Sequence, residues 1–314
     1  MRGLYFDGKD AIYRQDLERP VPYEGRSLIK ILLSAVCSTD KEVRKGYRPD
    51  FRGIMGHEFV GIVEESDNAS LIGKRVVGEI NEVCHECLYC KTGRPHHCSN
   101  RTTPGLSKDG CFAEYMILKT ENLHVVPDNL STEVAVYTEP LAAAFEILEQ
   151  IKIEEETPVA VLGDGRLALC IANVMHLAKA DVTVVGKHED KLKLFSDIAK
   201  TTRERKPESY EIVVEATGSK YGISQAMEMV RKNGTIVLKS TYADNAEINL
   251  SLVPVNELKI VGSRCGPFEP ALKALADKSI VLPEIVKFDI SEFEKAFSFD
   301  GFKAGFDFTR IADK

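Results

Sequence analysis

The hydrophobic residues in the second half of the chain alternate between short continuous runs and helical spacings. Apolar runs at Val159–Leu162 and Val182–Val185 are typical of buried strands in a parallel sheet. Between them, apolar residues recur every three or four positions, as on one face of a helix: Leu167, Ile171, Val174 and Ala178. This pattern predicts a strand–helix–strand unit.

The same alternation continues toward residue 263. Residues 211–219, 234–240 and 258–263 predict three further parallel strands. Between the first two lies another helix face: Ile223, Ala226, Met227 and Val230. The connection over 193–210 is short, so it holds either no strand–helix element or a brief one. Together these elements predict an α/β fold with a doubly wound parallel sheet.

Composition and charge narrow the possible functions. The chain has 314 residues, enough for two domains, with 44% hydrophobic and 28% charged residues. The net charge of -7 argues against a nucleic acid or an anionic membrane as the main partner, because either requires a basic face. The opening stretch MRGLYFDGKD lacks the apolar run of a signal peptide, and no stretch reaches the about 18 apolar residues of a membrane span. We therefore expect a soluble, cytoplasmic protein.

The stretch CHECLYCKTGRPHHC, residues 84–98, contains four of the eight cysteines. They are spaced C-x2-C-x2-C-x7-C: Cys84, Cys87, Cys90 and Cys98. In a reducing compartment this clustering favours tetrahedral zinc over disulfides. His85, His96 and His97 could each replace a thiolate, but the all-cysteine set is simpler. Four cysteines leave no coordination position for a substrate, so we interpret this site as a structural zinc site.

Three other short motifs offer ligands of a different kind. AVCSTD contains Cys37, IMGHEFVG contains His57, and YTEPLAAA contains Glu139. One cysteine, one histidine and one glutamate would hold zinc with one position open, as catalytic zinc requires. Each motif alone is more typical of an ordinary core or surface residue, so the prediction depends on their combination.

The order of these motifs resembles the zinc-dependent medium-chain dehydrogenase/reductase family, which includes alcohol, polyol, threonine and archaeal glucose dehydrogenases. CSTD, GHE, the four cysteines, EPLA and a glycine-rich strand–turn–helix follow one another as in that family, and DGCFAEYMIL at 109–118 adds to the match. The resemblance runs nearly end to end. Ser38 stands where the commoner motif CGTD has glycine, a departure that we expect to have little effect on the site.

The resemblance implies a second, catalytic zinc. Cys37 and His57 would be its ligands. Glu139 stands where the family supplies its third ligand, a cysteine in some branches and a glutamate or glutamine in others. Glu58 would approach the metal directly or alternate with water.

Two further residues take catalytic roles from the same resemblance. Asp40 would orient the ring of His57 from outside the metal shell. Thr39 would hydrogen-bond the substrate hydroxyl and pass its proton outward. The loop that follows, residues 41–53, forms one wall of the substrate pocket in relatives.

The resemblance also implies the domain layout. A mainly β, GroES-like catalytic domain would comprise 1–140 and 267–314, with the zinc lobe at about 81–101, and a Rossmann cofactor-binding domain would comprise 141–266. The C-terminal segment should form a helix, a strand and a helix, followed by FDFTRI as a closing strand. Homodimers and homotetramers both occur in the family, and the strand at 258–263 is the candidate interface.

A glycine fingerprint, G-x-G-x-x-A, follows the first predicted strand and opens the helix. The free amides of that helix N-terminus would bind a pyrophosphate. Asp164, inside the turn, would repel the pyrophosphate unless its side chain points away. We expect cofactor contacts from nine residues: Gly163, Gly165, Arg166, Leu167, Gly186, Lys187, His188, Thr217 and Arg264.

The end of the second strand indicates which dinucleotide binds. Enzymes that use NAD usually place an acid there for the ribose hydroxyls, but this chain has Gly186, Lys187 and His188. The glycine leaves room and Lys187 can pair with a 2′-phosphate, which favours NADP(H) over NAD(H). In the alternative, Lys187 is only solvated and Glu189 or Asp190 serves the ribose.

The sequence therefore predicts a zinc-dependent oxidoreductase that transfers a hydride between NADP(H) and an alcohol or polyol, or the matching carbonyl. An NAD-dependent polyol, sugar or threonine dehydrogenase is one alternative, and a non-catalytic zinc-binding protein that retains the fold is another. A zinc-free quinone or enone reductase of the same superfamily is a third, but such enzymes need none of Cys37, His57 and Glu139.

Overall fold

The structure, a computed structural model, describes residues 1–241 and 245–309. The chain divides into two compact units. The first comprises Met1–Glu139 together with the segment from Pro283 onward, and the second comprises Pro140–Leu282. Each unit contains its own sheet and its own buried core.

The described part of the chain contains sixteen strands, numbered in chain order: β1 (Gly3–Phe6), β2 (Ala11–Arg14), β3 (Arg26–Ala35), β4 (Gly53–Ile54), β5 (Glu58–Glu65), β6 (Arg75–Gly78), β7 (Tyr115–Lys119), β8 (Leu123–Val125), β9 (Pro158–Leu162), β10 (Asp181–Val185), β11 (Lys200–Thr202), β12 (Tyr210–Glu215), β13 (Val230–Leu238), β14 (Lys259–Gly262), β15 (Val286–Phe288) and β16 (Ala304–Asp307).

Ten α-helices accompany these strands in the described residues: α1 (Ser38–Arg44), α2 (Leu88–Lys91), α3 (Thr132–Ala135), α4 (Thr138–Gln150), α5 (Arg166–Leu177), α6 (Glu189–Leu192), α7 (Gly222–Met229), α8 (Leu252–Val255), α9 (Phe268–Ala276) and α10 (Phe293–Ser298). None of the helices in 1–241 and 245–309 combines the length and apolar character needed to cross a membrane.

The first unit is mainly antiparallel. Its larger sheet has seven strands in the order β15-β16-β3-β5-β6-β8, with β7 paired to β3, and a smaller sheet has the order β2-β1-β4. The core is rich in aromatic rings: Phe112 meets Phe306 edge to face, with ring centroids 4.9 Å apart. This mainly β unit agrees with the predicted GroES-like domain.

The pairing of β3 with β5 sets the positions of the first candidate metal ligands. The two strands are antiparallel, and Ala35 at the end of β3 lies opposite Glu58 at the start of β5. Cys37 follows β3 by two residues and His57 immediately precedes β5. Residues far apart in the chain are therefore brought to the same end of one strand pair.

The second unit contains a six-stranded sheet in the order β11-β10-β9-β12-β13-β14, in which all pairs are parallel. The chain moves from β9 to one side and from β12 to the other, so the order reverses between these two strands. This is the predicted Rossmann-like, doubly wound arrangement, which binds ligands at the carboxyl ends of the strands beside such a reversal.

The short connection over 193–210 retains a brief element. The strand β11 pairs in parallel with β10, but residues 203–209 form no helix before β12 begins. At the C-terminus, α9, β15 and α10 give the expected helix, strand and helix. The predicted closing strand FDFTRI corresponds to β16, although Arg310 and Ile311 lie outside the described residues.

The structure differs from the sequence-based division in one segment. The sequence analysis assigns residues 267–282 to the catalytic domain, whereas in the structure they belong to the second unit, Pro140–Leu282. A Cβ atom on Gly266 would lie 2.1 Å from the carbonyl oxygen of Ala142, so only a glycine allows this close backbone approach. The helix α9 that follows also buries apolar side chains such as Phe268 and Ala271. The chain therefore leaves the second unit after α9, not before it.

Candidate metal centres and dinucleotide site

The four clustered cysteines converge on one point. The sulfur atoms of Cys84, Cys87, Cys90 and Cys98 all lie within 4.8 Å of one another. Two sulfur–sulfur distances, Cys87–Cys90 and Cys84–Cys98, are 3.5 Å. Thiolates at about 2.3 Å from a tetrahedral zinc are separated by about 3.8 Å, and all eight cysteines of the chain are free. The residues present therefore fit a zinc ion.

The thiols of this cluster differ in acidity. Hydrogen bonds from the backbone N–H groups of Cys90 and Ser99 lower the pKa of Cys87 to about 6. Burial and the neighbouring thiols Cys87 and Cys98 raise the pKa of Cys90 to about 12. Four contacting thiols cannot all ionise near neutral pH unless a cation balances their charge, and a bound metal supplies that cation.

The base of the cysteine lobe is held by Glu82, a residue that the sequence analysis did not identify. Its backbone forms two hydrogen bonds with Thr102, which closes the lobe on itself. Its side chain is 1% exposed and contacts Arg26 at 2.7 Å and Lys108 at 2.8 Å. Burial acts to raise the pKa of Glu82, but the hydrogen bonds from Arg26 and Lys108 lower it below its ordinary value. No local spacing signals this contact, because Arg26 belongs to a distant strand.

A second group of candidate metal ligands lies at the end of the β3–β5 pair. Ligand atoms of Cys37, His57 and Glu58 lie within 4.8 Å of one another. His57 and Glu58 are buried, and Cys37 is half-buried. Among the described residues, Oε1 of Glu58 has no hydrogen-bond partner although it is buried. Buried polar atoms normally have partners, and a sulfur, nitrogen and oxygen donor set suits zinc.

Asp40 and Thr39 lie beside this group. Oδ1 of Asp40 is 3.4 Å from Nδ1 of His57, and its other oxygen accepts the backbone N–H of Cys37 at 2.8 Å. Burial acts to lower the pKa of His57, but Asp40 and then Cys37 raise it well above its ordinary value. The hydroxyl of Thr39 is 3.7 Å from the sulfur of Cys37. Both residues are thus close to the ligands that they are expected to serve.

Glu139 is not a member of this three-residue group. It lies in the first turn of α4 and is half-buried. Its assignment as the third zinc ligand stays a prediction, while Glu58 supplies the carboxylate that accompanies Cys37 and His57 in the structure.

A buried cation contacts the same group. The ammonium of Lys303 forms an ion pair with Oε2 of Glu58, and the two side chains are 3% and 0% exposed. Lys303 lies directly before β16, whose pairing with β3 brings it to the site. The sequence analysis missed Lys303; its only signal is a lone lysine beside the apolar segment that forms β16.

The predicted cofactor residues gather at the carboxyl ends of the strands in the second unit. Gly163 has φ +125°, and a Cβ there would lie 2.7 Å from the carbonyl oxygen of Ala216, so the turn requires glycine. Gly165 caps α5 and has no atom within 4 Å of where a Cβ would be. Open space at this helix N-terminus suits a phosphate group.

The remaining predicted cofactor residues occupy neighbouring strand ends. Arg166 and Leu167 form the first turn of α5, and Gly186 is buried directly after β10. The other four follow the strands β10, β12 and β14: Lys187, His188, Thr217 and Arg264. Lys187, His188 and Arg264 are exposed.

Two buried charged residues at these strand ends were not foreseen. Glu215 ends β12 and accepts the backbone N–H and the hydroxyl of Thr217, at 2.8 and 2.6 Å. Lys239 follows β13 and donates to the hydroxyl of Ser263 at 3.1 Å. Each is a single charge after an apolar run, a pattern too common to indicate a site.

Comparisons with known proteins agree with this architecture. Residues 23–128 match the alcohol dehydrogenase GroES-like domain. The chain is 29% identical over 310 residues to the sorbitol dehydrogenase of Halalkalibacterium halodurans, covering 90% of each chain. It is 33% identical over 205 residues to the L-threonine 3-dehydrogenase of Xanthomonas campestris pv. campestris strain B100, covering 62% of this chain and 60% of the relative.

A solved structure extends the fold likeness to the whole chain. The alcohol dehydrogenase from Thermus sp. ATN1 superimposes with a TM-score of 0.87 at 22% identity, covering 98% of this chain and 99% of that chain. The chain therefore combines a GroES-like domain with a Rossmann-like parallel sheet. The chain is an alcohol dehydrogenase-like oxidoreductase, and the predicted resemblance to the zinc-dependent medium-chain dehydrogenase/reductase family is confirmed.

The ion pair between Lys303 and Glu58 gives a stability prediction. Replacing Lys303→Met leaves Glu58 buried without its cation, so we expect the free energy of unfolding to fall by about 3–5 kcal/mol. Lys303→Arg keeps the positive charge, so its free energy of unfolding should fall clearly less. Denaturant unfolding of the three proteins measures this, and a methionine variant as stable as the wild type would contradict it.

Proposed function

We propose that this protein is a zinc-dependent oxidoreductase that transfers a hydride between NADP(H) and an alcohol or polyol, or the matching carbonyl. The proposal is carried by one observation: Cys37, His57 and Glu58 offer three ligand atoms within 4.8 Å at a buried strand end. That donor set includes only one cysteine, unlike the closed four-cysteine lobe, and three protein ligands leave a coordination position for a substrate.

The chain's own residues would hold and orient the catalytic metal. Oδ1 of Asp40 lies 3.4 Å from Nδ1 of His57, a position from which it would orient the imidazole ring. Lys303 balances the negative charge of Glu58. A zinc ion in such a site supplies Lewis-acid polarisation of an alcohol or carbonyl oxygen.

We assign the transfer of the substrate's hydroxyl proton to Thr39. Its hydroxyl can both accept and donate a hydrogen bond. Its distance of 3.7 Å from the sulfur of Cys37 supports the role, because a substrate oxygen at the metal would also be near that sulfur. Thr39 is half-buried, so a proton passed through it has a path toward solvent.

For the cofactor, we propose NADP(H) rather than NAD(H). The residues that follow β10 are Gly186, Lys187 and His188. None of them is acidic, and Lys187 is exposed. An exposed ammonium at this strand end can pair with a 2′-phosphate. Glu189 and Asp190 are exposed in α6 and represent the alternative in which an acid serves the ribose.

The substrate class is proposed from the named relatives. Sorbitol and threonine dehydrogenases both act on a small molecule that carries a hydroxyl group, so an alcohol or polyol is the substrate class that we propose.

Clustered free cysteines suit a reducing compartment such as the cytoplasm. We also propose a homodimer or homotetramer formed through β14, which is an edge strand with Ile260 37% exposed.

The two metal centres should be separable by mutation. Cys37→Ala removes one ligand of the catalytic centre, so we expect the zinc content to fall from two ions to one per chain and alcohol turnover to be lost. NADPH binding should survive, because the cofactor residues lie in the other unit. Metal analysis, a turnover assay over a panel of alcohols and polyols, and NADPH titration measure these three effects.

The same assays decide between the two candidate carboxylates. Glu139→Gln should lower zinc content if Glu139 is a ligand, and Glu58→Gln should do so if Glu58 is. A Cys37→Ala protein that kept full turnover would contradict the assignment of the catalytic centre.

Lys187 gives a test of cofactor preference. Lys187→Ala removes the cation proposed for the 2′-phosphate, so NADPH binding should weaken by about tenfold, or about 1.4 kcal/mol, while NADH binding stays unchanged. Lys193→Ala is the matched control, since Lys193 is exposed and lies only six residues further along. Fluorescence titration measures both cofactors, and equal losses for NADPH and NADH would contradict the role of Lys187.

A further inference from the structure

We propose that Asp164 reads the 2′ position of the adenosine ribose and reduces the preference for NADP(H) that Lys187 confers. The inference rests on the proposed dinucleotide binding in the second unit. It assigns a specificity role to a residue in the turn between β9 and α5, whereas an acid for the ribose usually comes from the tip of the second strand.

The side chain of Asp164 reaches the tip of β10. Its Oδ2 accepts the backbone N–H of Lys187 at 2.7 Å and that of His188 at 2.8 Å. The Nδ1 atom of His188 lies 3.1 Å from Oδ1 and 3.0 Å from Oδ2. A carboxylate is thus present at this strand end although the strand itself ends without one.

Gly186 is required for this placement. A Cβ on Gly186 would lie 2.7 Å from both the Cβ and the Oδ2 of Asp164, and 2.8 Å from a methyl of Leu192. A larger residue would therefore displace the carboxylate or the strand tip. The glycine that suggests room for a 2′-phosphate in the sequence instead accommodates Asp164 in the structure.

Asp164 carries a negative charge and has acceptor capacity left. Burial acts to raise its pKa, but hydrogen bonds from the amide and ring of His188 and from the amide of Lys187 lower it below its ordinary value. A carboxylate can accept about four hydrogen bonds. Among the described residues, Oδ1 has only the ring of His188 as a hydrogen-bond partner, so a ribose hydroxyl could also donate to it.

The position of Asp164 affects the two cofactors in opposite ways. A ribose 2′-hydroxyl is a donor and suits a carboxylate, whereas a 2′-phosphate at the same place meets a like charge. The amides of Lys187 and His188, which could otherwise bind the phosphate, already donate to Asp164. The exposed side chain of Lys187 attracts the phosphate. The preference between NADP(H) and NAD(H) should therefore be set by the difference between attraction to Lys187 and repulsion from Asp164.

The test is a fluorescence titration of the full chain with NADPH and, separately, NADH. Asp164→Asn keeps an oxygen that can accept the amides of Lys187 and His188 but removes the charge. We expect it to tighten NADPH binding by about tenfold and to weaken NADH binding. Asp197→Asn is the matched control, because it removes the same charge from an exposed position further along the same segment, at a residue with no proposed role in cofactor binding.

Each outcome has a defined meaning. A shift in the ratio of the two dissociation constants in Asp164→Asn but not in Asp197→Asn supports the proposal. An equal change for both cofactors, or an equal shift in the control, overturns it while leaving the proposed function intact. If the wild-type protein binds neither dinucleotide, the proposed function fails and this inference fails with it. If Asp164→Asn does not fold, Asp164→Ser provides the same comparison.

Discussion

The antiparallel pairing of β3 with β5 is the constraint on which the proposed chemistry depends. Its register places Ala35 opposite Glu58, so Cys37 and His57 meet although twenty residues separate them. A slip of one residue would send every side chain of β5 to the other face of the sheet. The buried apolar residues of the first unit therefore fix not only the fold but also the spacing of the metal ligands.

Buried charge is the second feature that the fold must accommodate. Asp40 and Glu58 are fully buried, and Lys303 is the cation that the described structure sets against Glu58. Isolated buried charges are strongly unfavourable, so such a cluster persists only where it is compensated. A metal ion bound by Cys37, His57 and Glu58 would complete that compensation, which links the stability of this end of the sheet to metal binding.

Features encoded by local spacing could be predicted from the sequence. The four-cysteine lobe, the turn at Gly163 and the alternation of strands and helices in the second unit each follow from residues close together in the chain. Contacts between distant segments could not be predicted. The ion pair of Lys303 with Glu58 depends on β16 pairing with β3, and the reach of Asp164 to Lys187 depends on the parallel alignment of β9 and β10. The family resemblance implies Glu139 as a zinc ligand, and this assignment stays a prediction, whereas Glu58 lies in the geometric group with Cys37 and His57.

The central claim is that the chain holds two zinc ions in unlike environments. Zinc analysis combined with X-ray absorption at the zinc edge of the purified protein tests it most directly. Four cysteines would surround one ion and a single cysteine would bind the other, so we expect two zinc ions per chain and a mean of about 2.5 sulfur ligands per zinc. One zinc per chain with four sulfur ligands would contradict the claim and favour a protein that keeps the fold without the catalytic metal.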